Sequence, residues 1–116
     1  MAVDVGCGTG IGTKLLAEHF DKVIGVDISD AMLAEAPRDL PNVSYHCGPG
    51  EDLSFLQKES VDAVVCAASI HWLDLKVFHK EVDRVLKPGG VLASFVYNKE
   101  YLIGNDEANK KYEKVQ

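Results

Sequence analysis

Three glycines at alternate positions, Gly6, Gly8 and Gly10, follow the apolar run Ala2-Val3-Asp4-Val5 and lead into a helical pattern. This feature limits the possible folds more than any other. A buried strand that runs into residues without side chains can turn sharply, and the turn leaves main chain open to close approach. The helix behind it points free N–H groups and the positive end of its dipole back at the turn. A second apolar run, Val23 to Val26, ends in Asp27, which lies 27 − 6 = 21 positions beyond Gly6. An acid at the end of that neighbouring strand can accept hydrogen bonds from two vicinal ribose hydroxyls. Together these residues predict a nucleotide-like cofactor at the carboxyl edge of a parallel sheet. The spacing G-x-G-x-G narrows the choice. The dinucleotide fingerprint G-x-G-x-x-G would need glycine where this chain has Ile11 or Thr13.

Strand and helix patterns alternate along the rest of the chain. Apolar residues at Ile11, Leu15, Leu16 and Phe20 predict a helix packed on a sheet over Ile11 to Phe20. Ser29 is placed to cap a helix carrying Met32, Leu33 and Ala36, which Pro37 ends. Val43 to Cys47 reads as a third strand, followed by Gly48-Pro49-Gly50 and a short helical turn near Leu53 to Leu56. Val61 to Ala67 is the fourth strand. Asp74 can cap a helix with the stripe Leu75, Phe78, Val82, Val85 and Leu86, stopped by Lys87-Pro88-Gly89-Gly90. Val91 to Tyr97 is the fifth strand. Residues 98–116 form a polar tail of the same domain, with one helix expected near Asp106 to Lys114. This alternation predicts a doubly wound, Rossmann-like α/β fold with five parallel strands ordered 3-2-1-4-5, residues 1–97 forming the cofactor-binding domain.

Composition excludes several function classes. The formal charge of 12 − 18 = −6 does not suit a non-specific nucleic-acid binder. No apolar run is long enough to span a bilayer and no signal peptide precedes the first strand, so a cytoplasmic protein is expected. Cys7, Cys47 and Cys66 are odd in number and form no Cys-x-x-Cys pair, which suits reduced thiols. His19, His46 and His79 do not combine with other ligands at metal-binding spacing, so no metal is expected.

The segments Val3 to Gly10, Gly25-Val26-Asp27-Ile28-Ser29 and Gly50-Glu51-Asp52-Leu53-Ser54-Phe55 resemble successive motifs of class I S-adenosylmethionine-dependent methyltransferases. Val61-Asp62-Ala63-Val64-Val65 through Ile70-His71-Trp72-Leu73, and Val85 through Leu92, continue the resemblance in order. It covers residues 2–97 and is closest to the small-molecule type-11 group, which includes relatives of trans-aconitate methyltransferase. The resemblance implies that Asp4, Gly6, Cys7, Gly8 and Gly10 face the methionine portion of S-adenosylmethionine. It implies that Asp27 binds the ribose hydroxyls, that Ile28 and Leu53 flank the adenine, and that Asp52 meets the adenine amino group. The main chain near Cys66 and Ala67 would help hold the methionine amino group. Family members usually have one or two helices before the first strand and a sheet ordered 3-2-1-4-5-7-6. This chain starts at that strand, and residues 98–116 are too few for the missing helix and two strands. It therefore resembles the cofactor half of such an enzyme, truncated at both ends.

Methyl transfer from a sulfonium is a direct displacement, in which the protein mainly aligns donor and small-molecule acceptor. A base is needed only if the acceptor must lose a proton. His71, just beyond the fourth strand, is the candidate catalytic residue, as a ligand contact or a general base; the alternative is a loop histidine bonded locally. Trp72 can wall a substrate pocket or cover the sheet edge. The glycine array without its acids would be only a tight turn, and Asp27 alone could be a turn residue before Ser29. Cys7 has no adjacent base, which argues against a nucleophilic cysteine. A second reading is a non-catalytic cofactor-binding or interaction module, associating through the exposed sheet edge that the fourth and fifth strands would leave.

Overall fold

The computed structural model describes residues 1–67 and 74–95. In chain order the elements are β1 (Ala2–Val5), α1 (Ile11–Leu16), β2 (Val23–Asp27), α2 (Asp30–Ala34), β3 (Val43–Cys47), β4 (Val61–Ala67), α3 (Leu75–Val85) and β5 (Leu86–Phe95). Every strand pairing is parallel, and the sheet order is β3-β2-β1-β4-β5, the doubly wound order that the alternation predicts. β1 lies at the centre with all four residues buried. The chain runs from β1 to β2 on one side and later returns to β4 on the other. The carboxyl ends of β1 and β4 therefore flank a topological switch point, where ligands bind in open α/β sheets.

Strand periodicity sorts the side chains between two faces. Val3 and Val5 join a core that contains Leu53, Phe78, Val82, Val85 and Leu92. Asp4, between them, points to the opposite face, where Thr13 of α1 meets it. α1 and α3 thus cover opposite faces of the sheet. Phe78, Val82 and Val85 are fully buried, and each contributes roughly 1.5–3 kcal/mol by leaving water. Both expected caps form. Ser29 Oγ accepts from the Met32 N–H at 3.2 Å. Asp74 Oδ1 accepts from the N–H groups of Lys76 and Val77 at 3.2 and 3.4 Å. The turn near Leu53 is a single one, closed by the Leu56 N–H on the Leu53 carbonyl at 2.9 Å.

Two expectations are corrected. The first helix stops at Leu16 instead of reaching Phe20, because the Glu18 and His19 N–H groups bond three residues back, to Leu15 and Leu16, and tighten the last turn. Its apolar positions do not form a buried stripe. Ile11 and Leu15 are 75% and 61% exposed, whereas Thr13 is fully buried. The hydrogen bond from Thr13 to Asp4 sets the rotation of the helix on the sheet.

The second correction concerns Lys87-Pro88-Gly89-Gly90, which does not separate helix from strand. β5 starts at Leu86, directly after α3. Val61 pairs with Leu86 and Ala63 with Val91, so β5 advances 91 − 86 = 5 residues while β4 advances 63 − 61 = 2. The surplus forms a bulge in which Gly89 takes φ 83°. Pro88 lacks an N–H and is tolerated because it lies within this bulge, on a strand that borders the sheet among the described residues. His71, Trp72 and the tail 98–116 lie outside the described residues. Among the described residues no helix is long and apolar enough to cross a membrane.

Candidate cofactor site

The glycine array works through its backbone. Gly6, Gly8 and Gly10 have φ of 74°, 57° and 88°, a left-handed region that costs other residues roughly 1–2 kcal/mol each. The turn is tied to β2. The Gly6 and Cys7 N–H groups both donate to the Val26 carbonyl, at 2.7 and 3.0 Å. The Gly8 N–H donates to Asp27 Oδ2 at 2.8 Å, and the Ser29 N–H donates to Asp27 Oδ1 at 2.9 Å. Asp27 therefore joins the glycine turn to the β2–α2 junction. Gly10 serves packing as well: a Cβ there would lie 2.9 Å from Tyr45 Oη and 3.1 Å from Pro37 Cδ. Gly25, opposite Tyr45 in the sheet, leaves room in the same way, since a Cβ would sit 2.8 Å from the Tyr45 ring and 2.9 Å from Cys7 Sγ.

A cleft of about 830 Å³ opens beside this turn, lined by Asp4, Gly6, Cys7, Gly8, Met32 and Val65 among others. Asp4 is 4% exposed, and Thr13 Oγ1 donates to its Oδ2 at 2.8 Å. Burial pushes the Asp4 carboxyl up from 3.8 to about 6; the Thr13 bond opposes the rise and the Asp27 charge adds to it. Burial, with the charges of Asp4 and Asp27, pushes the Cys7 thiol up to about 12, which keeps it from acting as a thiolate. No lysine or arginine lines the cleft among the described residues. No side chain caps α1 at Gly10, so its first-turn N–H groups have no side-chain acceptor at the cleft mouth.

The remaining expected site residues are spread along the carboxyl edge. Ile28 is 74% exposed at the end of β2. Asp52 is exposed and accepts the Ser54 N–H at 3.1 Å; the Ser54 hydroxyl and then this N–H hold its carboxyl below the usual carboxylate range. Neither lines the cleft beside Asp4. Two of the expected residues are buried. Leu53 is fully buried in the core and presents no surface to an adenine ring. Cys66 is fully buried as well, paired with Val5 and Ser94 in the sheet, and the contact expected there is through the main chain. Ala67 ends β4 beside it. Sequence reasoning missed Thr13 and Tyr45, which pack under the glycine turn, and the pair Glu81 and Arg84 on α3. The pair has an i, i+3 helix spacing that could have signalled it. Among the described residues no group of three His, Cys, Asp or Glu side chains could hold a metal ion.

Residues 3–94 match the family described as "Methyltransferase domain". The chain belongs to this family. The methyltransferase domain is 36% identical over 118 residues to a probable S-adenosylmethionine-dependent methyltransferase of Saccharomyces cerevisiae, covering 97% of this chain and 40% of that protein. It is 41% identical over 95 residues to a trans-aconitate 2-methyltransferase of Deinococcus radiodurans, covering 78% of the chain and 35% of that enzyme. A solved structure named as a candidate type II methyltransferase from Anaeromyxobacter dehalogenans superposes with a TM-score of 0.77 at 35% identity, over 93% of this chain and 48% of that one. The methyltransferase domain thus spans between about a third and a half of these relatives. S-adenosylmethionine is the cofactor of the family, and the residues present fit it. The glycine turn admits main-chain contact, and the buried carboxylate of Asp4, with Asp27 close by, suits a ligand carrying positive charge.

Proposed function

We propose that this methyltransferase domain takes part in transferring a methyl group from S-adenosylmethionine to a small-molecule acceptor by direct displacement. The observation that carries the reading is the glycine turn with three left-handed residues, bonded through Gly8 to Asp27 and lying against the buried Asp4. The cofactor, when bound, supplies an electrophilic methyl group on a sulfonium. The chain supplies placement. Each Asp27 oxygen accepts one N–H and keeps lone-pair capacity for a ribose hydroxyl. Asp4 offers the ammonium of the methionine portion a counter-charge out of water, and Asp52 offers an acceptor to the adenine amino group. Similarity to a trans-aconitate 2-methyltransferase supports a small carboxylate as acceptor, and a carboxylate needs no base. His71 is assigned to contact with the ligand or acceptor. Calorimetric titration with S-adenosylhomocysteine tests the reading. Native protein is expected to bind, and Asp27→Ala to lose roughly tenfold or more in affinity, as for a charge-assisted hydrogen bond. No binding by native protein would sink it.

A second reading is a non-catalytic module that pairs with another copy through a sheet edge. Among the described residues β3, rather than the expected side of β4 and β5, is the more open edge: it leaves Ser44 and Cys47 exposed, whereas Lys87, Pro88 and the bulge blunt β5. A concentration-dependent dimer in light scattering, with cofactor binding and no turnover on a panel of small acids, would select it.

A further inference from the structure

α3 grips one residue of the neighbouring loop by both of its main-chain polar groups. Glu81 Oε2 accepts the Leu53 N–H at 2.8 Å. Arg84 Nη2 donates to the Leu53 carbonyl at 2.8 Å, and Arg84 Nη1 donates to the Leu56 carbonyl at 2.9 Å. The two side chains also bond each other, Nη2 to Oε2 at 3.0 Å and Nε to Oε1 at 3.3 Å. They sit one helical turn apart and flank the buried stripe of Phe78, Val82 and Val85, so the core fixes their position. The loop is pinned twice more. Phe55 stacks on His46 of β3, with ring centroids 3.7 Å apart and planes 16° apart. The Asp74 N–H donates to Glu51 Oε2 at 3.1 Å. Every pin holds the segment Glu51 to Leu56, and Asp52 stands exposed within it.

We propose that Glu81 and Arg84 are positioning residues for base recognition: by fixing the peptide groups on either side of Leu53, they set where the Asp52 carboxylate meets the 6-amino group of adenine. The inference rests on the cofactor reading proposed above. Arginine is required because its planar fork reaches two carbonyls and a carboxylate at once, which an ammonium on a flexible stem does not reproduce. Arg84 in turn holds the Glu81 carboxyl below the usual range, with the Leu53 N–H adding to the effect, so the acceptor stays ionised. Leu53 is thereby clamped by its main chain while its side chain packs in the core.

The test compares S-adenosylhomocysteine with its inosine analogue, in which a carbonyl oxygen replaces the 6-amino group. Dissociation constants are measured by calorimetry for the native chain, Arg84→Lys and Asp52→Asn. Native protein should prefer adenine by roughly tenfold or more, the size of a hydrogen bond to a charged group. Arg84→Lys should reduce the preference to about threefold or less, and its Leu53 amide should exchange with solvent at least about tenfold faster. If Arg84→Lys melts at the working temperature, Glu81→Gln is read by the same two measurements. An undiminished preference in the variant, or an equal loss of affinity for both analogues, overturns the positioning role. Failure of native protein to bind either analogue instead overturns the cofactor reading itself, so the two failures are distinguishable.

Discussion

Asp4 shows how a single residue can oppose stability and serve a site. It sits in the central strand, 4% exposed, with one hydroxyl as partner. Its carboxyl rises from 3.8 in the unfolded chain to about 6 in the fold. The folded state therefore binds the proton more tightly, and stability falls as pH rises from about 4 to beyond 6. The difference corresponds to roughly 3 kcal/mol of destabilisation at neutral pH. Asp4→Asn keeps an oxygen for Thr13 and removes the buried charge. It is expected to melt at a higher temperature than native protein at pH 7.5, to match it near pH 4, and to bind S-adenosylhomocysteine more weakly. Thermal melts across that range check the stability claim; equal melting temperatures at pH 7.5 would show that the carboxylate is not strained in the fold. Asp4 was legible as a site residue from its place before the glycines. Its perturbed acidity was not, since it depends on burial and on Thr13 across the helix–sheet contact.

At the scale of elements, caps and glycine turns were readable because their chemistry is local. Asp74 and Ser29 cap the helices expected of them. Asp74→Ala should destabilise the domain by about 1 kcal/mol, measured as a lower urea midpoint with unchanged slope. An unchanged midpoint would mean that α3 is held by its buried stripe and the Glu81–Arg84 pair alone. The rotation of α1 was not legible. Ile11, Leu15 and Leu16 have the spacing of a core stripe, yet all three border an open cleft and Ile11 and Leu15 are largely exposed. Apolar periodicity says that a face avoids water and does not say whether protein or ligand covers it. β5 shows a similar limit. Lys87-Pro88-Gly89-Gly90 reads as a stop, and only pairing with β4 turns it into a bulged strand.

For the whole molecule, the sheet order places the glycine turn at the switch point, so ligand binding should be coupled to global stability. S-adenosylhomocysteine at one hundred times its dissociation constant is expected to stabilise the fold by about 2.7 kcal/mol. For a domain of this size that raises the melting temperature by roughly ten degrees or more. NAD at the same concentration should leave it unchanged, because the glycine spacing does not match the dinucleotide turn. A rise with NAD alone would reassign the cofactor.

The sequence by itself determined the strand alternation, the parallel order, the glycine turn and the family, because each is written in contiguous residues or in fixed spacing. Tertiary structure decided what depends on contacts between distant segments. It put Leu53 and Cys66 in the core and exposed Ile11 and Leu15. It set Tyr45 across Gly25 and locked the Asp52 loop to α3 through Glu81 and Arg84. Local pattern specifies which face of an element is apolar; only the packed sheet specifies which neighbour, or which ligand, meets it.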